Sequence, residues 1–411
     1  MFSELTYAVW YHRVFGKSKK ARKALDFYGS FKDFYDVVMC GCDETGFGDT
    51  LDMKKVKSFS LLDADILTDE CREAYGWDVI SEDSEYYPPL LRELPDRPSV
   101  LFIDGDKEVL RSSVMISVVG SREVMGIAEL VARNASYNLA KTGAVIVSGA
   151  ALGIDSCAHL GAIEAGGKTV AVLGCGLGND YLKRLGDFYD RLRASGCFIT
   201  EMLPFSSATR YSFPERNRII SGMSRAMLVS CAAEDSGSLI TARLAKKQNR
   251  RVYAMASELC YSSGCKMLID EGAFTFYNAG DIAYPLKEFY PEGTFNELWC
   301  NKSVLPSGND AAVQDMAIPK KKPITRKVNK TVGENNEKEE TVKQEASVLS
   351  EMPLLSENAK KIYELLGEDT VTMDSLVNAS SLKISQVLMG VGELEMKKLI
   401  KKLPGSRVQK L

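Results

Sequence analysis

The chain runs to 411 residues, 45% of them hydrophobic, with 52 Lys and Arg against 55 Asp and Glu and a formal net charge of −3. That is enough for two or three domains with a sizeable core, and the slightly acidic balance confines any nucleic-acid surface to a local patch. No apolar run approaches the ~20 residues of a membrane span, and the opening residues lack the order of a cleavable signal peptide, so a cytoplasmic protein with no membrane partner is expected. The ten cysteines form no CxxC pair and only His12 and His159 could accompany them, which argues against a metal site and for buried thiols in a reducing compartment.

Leu5, Val9, Trp10 and Val14, then Ala21, Leu25, Phe31, Phe34, Tyr35 and Val38 fall at helical intervals. They predict a small helical module over 1–75, of the SAM or helix-hairpin kind. Gly16-Lys17-Ser18 resembles the end of a P-loop, but position 11 is Tyr and no strand precedes it, so it reads as a turn and helix start. The basic run Lys17, Lys19, Lys20, Arg22 and Lys23 reads as a solvated face, with a helix-hairpin DNA contact as the alternative. Prolines at 88, 89, 95 and 98 punctuate an extended segment that passes through Val100 to Ile103 and turns at Asp104-Gly105-Asp106, entering a sheet from one edge.

From Val114 to Asp155 the pattern is strand, tight turn, long helix and second strand, the opening of a βαβ unit. Met115 to Val119 is an apolar run without polar alternation, as a strand covered on both faces requires; Ile127, Leu130, Val131, Ala135 and Leu139 form the helix face turned to the sheet. Further strands are expected at Ala144 to Val147, Thr169 to Leu173, Cys197 to Thr200, Ala226 to Ser230 and Arg251 to Met255. Helices are expected between them, near 156–165, 181–195, 215–223, 238–248 and 264–271. This alternation predicts an α/β fold with a doubly wound parallel sheet, whose ligands sit at the carboxyl ends of the strands.

The loops expected at that edge carry the candidate chemistry. Gly120-Ser121-Arg122 opens a helix and suits an anion through unpaired N–H groups and a guanidinium fork, the equal alternative from this loop alone being that Gly120 only lets helix pack on strand, with Arg122 solvated. The G-x-G-x-x-G spacing of a dinucleotide site is absent and the second strand ends in Ser148-Gly149, not an acid, so no nucleotide cofactor is expected. Arg210, Tyr211, Phe213, Arg216, Asn217 and Arg218 crowd guanidinium forks, an amide and aromatic rings into nine residues, the composition of a single-strand binding platform. Asp235 to Thr241 offers a second phosphate cradle, with Gly237 and Ser238 at a helix N-terminus. Gly174 to Gly178 reads as a tight turn, and Asp155 with His159 as structural, not as an acid–base pair.

Taken together, Val119-Gly120-Ser121-Arg122, Gly153-Ile154-Asp155, Phe213-Pro214-Glu215-Arg216-Asn217-Arg218 and Ser236-Gly237-Ser238-Leu239-Ile240-Thr241-Ala242 resemble the DNA-processing protein A family, DprA or Smf. The resemblance spans roughly Tyr86 to Pro285. It implies an extended Rossmann-like domain over 76–300 that binds single-stranded DNA without catalysis, protects incoming DNA and loads the RecA recombinase in natural transformation, as a homodimer. It places the phosphate-binding Arg on Arg122, a basic residue on Arg210, the base-contacting ring on Phe213 and the RNR segment on 216–218. Leu152 stands where the family carries Arg or Lys, and Tyr181-Leu182 and Cys265-Lys266-Met267 also depart from its pattern. Two other readings remain. One is a hydrolase of the LOG phosphoribohydrolase class, whose catalytic Glu would fall on Thr241; the other is a winged-helix regulator of duplex DNA.

Residues 301–352 lose periodicity and carry a basic then an acidic run, the composition of a disordered linker. Over 353–411, Ala359, Ile362, Tyr363 and Leu366, then Met373, Leu376 and Val377, then Ile384, Val387, Leu388, Val391 and Leu394 form three helical stripes. Leu399-Ile400 and Val408 are the strands of a wing. The segment resembles the winged-helix domain of many DprA proteins, with a weakly basic third helix at Lys383, Ser385 and Gln386.

Overall fold

The computed structural model describes residues 2–122, 126–180, 182–209, 211–256, 262–300, 357–366, 370–380, 382, 387, 391, 394, 399–403 and 407–410. The chain divides into two compact units, Met1–Pro319 and Lys320–Leu411. The boundary expected near residue 75 lies inside the first, and the expected linker lies outside the described residues.

Five helices open the chain: α1 Glu4–Phe15, α2 Lys19–Tyr28, α3 Phe31–Cys40, α4 Met53–Lys57 and α5 Leu61–Tyr75. Ser3, Ser18, Ser30, Asp52 and Ser60 each accept an N–H of the first turn that follows, satisfying donors the helix itself cannot. Gly16-Lys17-Ser18 is accordingly the end of one helix and the cap of the next. Trp10, Tyr11, Phe31 and Phe34 are buried, and their cluster runs on without a break into Val79, Val100, Phe102, Ala171 and Phe198 of the sheet. The helices therefore cover one face of the sheet at one end.

The sheet has nine strands: β1 Asp78–Ser81, β2 Val100–Gly105, β3 Met115–Val119, β4 Val145–Ser148, β5 Thr169–Val172, β6 Gly196–Thr200, β7 Ala226–Val229, β8 Arg251–Met255 and β9 Phe274–Phe276. Their order is β1-β2-β6-β5-β4-β3-β7-β8-β9. β1 and β2 are antiparallel to their neighbours and every other pair is parallel. Each strand expected from the sequence is present within a residue or so. β1 and β9, of four and three residues, escaped the pattern because neither is an apolar run: Asp78 and Ser81 bracket only two apolar residues, and Thr275 separates Phe274 from Phe276. The helix expected over 181–195 is broken: Gly186, at φ 51°, separates the tight turn Leu182–Leu185 from a helix at Asp187–Ser195.

Chain order reverses between β3 and β7, since β4, β5 and β6 lie to one side and β7, β8 and β9 to the other. This is the switch point of a doubly wound sheet, where diverging connections leave a crevice at the carboxyl edge. The connections that matter there begin with α6 Pro89–Arg92, α7 Gly126–Lys141, α8 Ile154–Glu164, α9 Asp187–Ser195, α10 Ser212–Met223 and α11 Gly237–Lys247.

In the second unit, helices at Glu357–Leu365 and Met373–Ser380 and a three-stranded antiparallel sheet enclose Ala359, Ile362, Leu376, Val387, Val391, Leu394, Ile400 and Val408. The strands Ile400–Leu403 and Arg407–Lys410 form the expected wing. Lys383, Ser385 and Gln386 lie outside the described residues.

Candidate functional site

At the switch point a cleft of about 670 Å³ is lined by Gly120, Ser121, Arg122, Asp155, Phe213, Arg216, Asn217, Asp235 to Ser238 and Thr241. Eight of the ten candidates from the sequence therefore converge: Gly120, Ser121, Arg122, Phe213, Arg216, Asn217, Gly237 and Ser238. Arg218 does not, and Arg210 lies outside the described residues.

The loop after β3 is locked by its backbone. The Ser121 N–H donates to the Cys231 carbonyl at 2.7 Å, and the Ile154 N–H donates to the Ser121 carbonyl at 3.2 Å. A Cβ at Gly120 would sit 2.5 Å from Ile154 Cγ1 and 2.7 Å from the Cys231 oxygen, so glycine alone fits. The Ser121 N–H is thus committed to the fold, and the anion-binding capacity of the loop shifts toward the side chain that follows. Arg122 is exposed, and its guanidinium lies 5.1 Å from the centroid of the Phe213 ring, which it covers. The ring also meets Gly174, where a Cβ would come within 3.2 Å of Cδ1.

Arg216 is buried beneath the cleft. Its Nη1 donates to the Val172 carbonyl at 2.5 Å, and a Cβ at Gly149 would overlap its guanidinium. Its charge also opposes the burial that raises the pKa of Asp155, which the Ala151 N–H and Arg122 oppose as well. Arg216 consequently acts as a strut beneath the site. Arg218 points elsewhere: it pairs with buried Glu201 and donates to the Asp96 carbonyl at 2.7 Å, and Glu201 also holds Lys17 at 2.9 Å. Residues two apart on a helix lie about 200° apart around its axis, so 216 and 218 cannot share a face. That spacing was available in the sequence and separates the two arginines.

At the start of α11, the Ser236 hydroxyl accepts the Ser238 N–H at 3.3 Å and bonds the Ser238 hydroxyl at 2.6 Å. Gly237 is exposed, with open space where a Cβ would be. Thr241, the position to which the hydrolase reading assigns a catalytic Glu, donates its hydroxyl to the Gly237 carbonyl. His159 is buried away from the cleft. The Thr169 hydroxyl donates to the Ile146 carbonyl at 2.8 Å and so accepts from His159 Nδ1 at 2.6 Å. Burial, and secondarily Arg216, pushes the imidazole down to about 3, which keeps it neutral and structural. Leu152, where a basic residue was expected by resemblance, is 75% exposed. Among the described residues no group of three or more His, Cys, Asp or Glu is placed to hold a metal ion.

Among the described residues no helix is long and apolar enough to cross a membrane. The family model described as DNA recombination-mediator protein A matches residues 78–287, and that of the DprA winged helix domain matches 347–406. Protein Smf of Synechocystis sp. is 31% identical over 342 residues, covering 80% of this chain and 79% of that protein. DNA processing protein DprA of Bacillus subtilis is 35% identical over 215 residues, covering 52% and 72%. The X-ray structure of DprA from Streptococcus pneumoniae superposes with a TM-score of 0.57 at 29% identity, covering 68% of this chain and 97% of that one. A doubly wound sheet with Arg122 laid over Phe213 at its switch point, followed by a winged-helix unit, thus coincides with two matching family models and a relative matched over about four-fifths of both chains, and the chain belongs to the DprA/Smf family of DNA-processing proteins.

Proposed function

We propose that this protein binds single-stranded DNA at the switch-point cleft with little sequence preference and without catalytic turnover. The observation that carries the reading is the Arg122 guanidinium 5.1 Å from the centroid of the Phe213 ring at an open cleft: a cation for phosphate and an aromatic ring for a base, close together, are what sequence-tolerant single-strand binding uses. Asn217, Gly237, Ser238 and, by resemblance, Arg210 complete the surface. The names of the relatives support DNA as the ligand. The absence of a carboxylate at Thr241 favours binding over glycosidic hydrolysis. Transfer of the bound strand to RecA, action as a homodimer and a role in natural transformation rest on the family resemblance.

Titration of fluorescent oligonucleotides across a salt series tests the reading. Single strands are expected to bind more tightly than duplex, with log K falling linearly in log salt. Equal affinity for duplex, or no dependence on salt, would overturn it. Light scattering of the full chain at tens of micromolar, an order-of-magnitude ceiling for a functional dimer, addresses the dimer by mass action.

A further inference from the structure

Beyond the cleft, on the same edge of the sheet, three aromatic side chains touch. Tyr75 and Trp77 are stacked with centroids 4.5 Å apart and planes at 15°, and Phe205 meets them edge-on at 5.6 Å and tilted at 6.3 Å. Trp77 is buried, but Tyr75 is 43% and Phe205 55% exposed.

The ring of Phe205 is held out by a fixed backbone. The Gly176 N–H donates to the Ser206 carbonyl at 2.9 Å, the Gly178 N–H to the Pro204 carbonyl at 2.7 Å and the Ser206 N–H to the Leu203 carbonyl at 2.9 Å. Gly174 to Gly178 is therefore a clamp on the Phe205 loop, its N–H groups at 176 and 178 spent on protein carbonyls. The same loop touches both aromatic sites: Phe213 at Gly174, and Phe205 at Gly178, where a Cβ would overlap its ring. Cys175 and Leu177 are buried, so the loop shows mainly backbone between the two rings. Neither Gly174 to Asn179 nor Met202 to Thr209 contains a charged residue, so neither stretch sets a carboxylate against a phosphate chain. Four residues of chain reach at most about 14 Å, the length of roughly four stacked nucleotides.

We propose that Phe205, backed by Tyr75 and Trp77, is a second stacking station for the same single strand, which leaves the Arg122–Phe213 site, crosses the glycine loop and lays a further base on the Phe205 cluster. This rests on the proposed function of the cleft. A half-exposed apolar ring on a hydrogen-bonded loop, joined to a cation-backed ring by a side-chain-poor loop, fits a base better than it fits solvent.

The test uses the full chain, Phe205→Ala, Phe205→Leu and Phe205→Trp, and oligothymidylates of about 3 nucleotides, too short to span both rings, and about 20, which bracket the usual site sizes of roughly 4–16. The expected result is that Phe205→Ala and Phe205→Leu weaken the long strand by roughly 5- to 100-fold, the loss of one stacked base, and leave the short strand and the salt slope unchanged. Phe205→Trp should restore the long-strand affinity. Unchanged affinity for the long strand, as a protein-docking role for the patch would give, overturns the second station. So does an equal loss on both lengths, which would mean that Phe205 acts by shaping the cleft. Wild type that binds neither length would overturn the proposed function and this inference together. Melting temperatures within error of wild type confirm that the variants are folded.

Discussion

Arg122 and Phe213 are remote in sequence and in contact in space, so their contributions to binding are coupled. Arg122→Ala should weaken single-strand binding and reduce the salt slope by about 0.7, one phosphate contact. Phe213→Ala should lower affinity by roughly 1 to 3 kcal/mol with little change in slope, since stacking releases no counterions. The double variant should lose less than the sum, by roughly 0.5 to 2 kcal/mol, because each single change already breaks the guanidinium–ring contact. Additive losses in a titrated double-mutant cycle would mean that strand and protein use the two groups independently. A second prediction at this scale concerns the histidines. Burial lowers the pKa of both His12 and His159, the latter to about 3. Below the ordinary value of 6.5 the unfolded chain therefore takes up protons that the folded one refuses. Stability is complete above that pH and is lost as pH falls through it toward 3, by up to about 5 kcal/mol for His159. Asp155 and Glu82, raised by burial, act in the opposite sense at the acid end. Urea midpoints measured from about pH 7.5 to about pH 4.5 should fall in wild type and fall less in His159→Gln.

Helix α10 illustrates how one element serves two purposes. Its Arg216 and Asn217 face the cleft, and its Arg218 faces a second pocket of about 320 Å³ that Lys17, Glu201 and Glu215 also line. Arg218→Ala would leave Glu201, itself 5% exposed, without its guanidinium. Breaking one side of a buried pair costs about 3 to 5 kcal/mol, partly offset here by Lys17, which remains on Glu201. The expected outcome is a clear drop in melting temperature with single-strand affinity and salt slope preserved. A loss of affinity in folded Arg218→Ala would place the DNA path on both sides of the helix. The loop after β3 makes the complementary case. Gly120→Ala forces a methyl against Ile154 and the Cys231 carbonyl, which should destabilise by roughly 1 to 3 kcal/mol and disturb binding through the position of Arg122.

At the scale of the whole molecule, the N-terminal helices and the sheet share one core. Removing residues 1–75 would strip cover from Val100, Phe102, Ala171 and Phe198, each fully buried in the intact chain, and leave an apolar face of the kind that drives aggregation. Truncation after residue 319 falls between the two compact units. The shorter protein ending there should remain soluble, melt cooperatively and still bind single strands, whereas the form lacking 1–75 should be insoluble or molten by circular dichroism and dye binding. A soluble, cooperatively melting 76–411 would show that the helices are an appended module after all.

Elements whose cause is local were available in the chain itself. The largely apolar runs at 115–119 and 226–229, the caps Ser18 and Ser236, and the glycine at 120 each act within a few residues, and the alternation of strands and helices then admits little besides a doubly wound sheet with its loops on one edge. Motif residues likewise marked the loops that meet at the cleft. Tertiary structure decided what each group is free to do. It set Arg122 on Phe213, took the Ser121 N–H for Cys231, buried Arg216 against the Val172 carbonyl and gave Arg218 to Glu201. It also brought Tyr75 and Trp77 to Phe205. These outcomes depend on which distant backbone carbonyl, carboxylate or ring arrives alongside, and such pairings follow from strand order and loop packing, quantities that no local periodicity encodes.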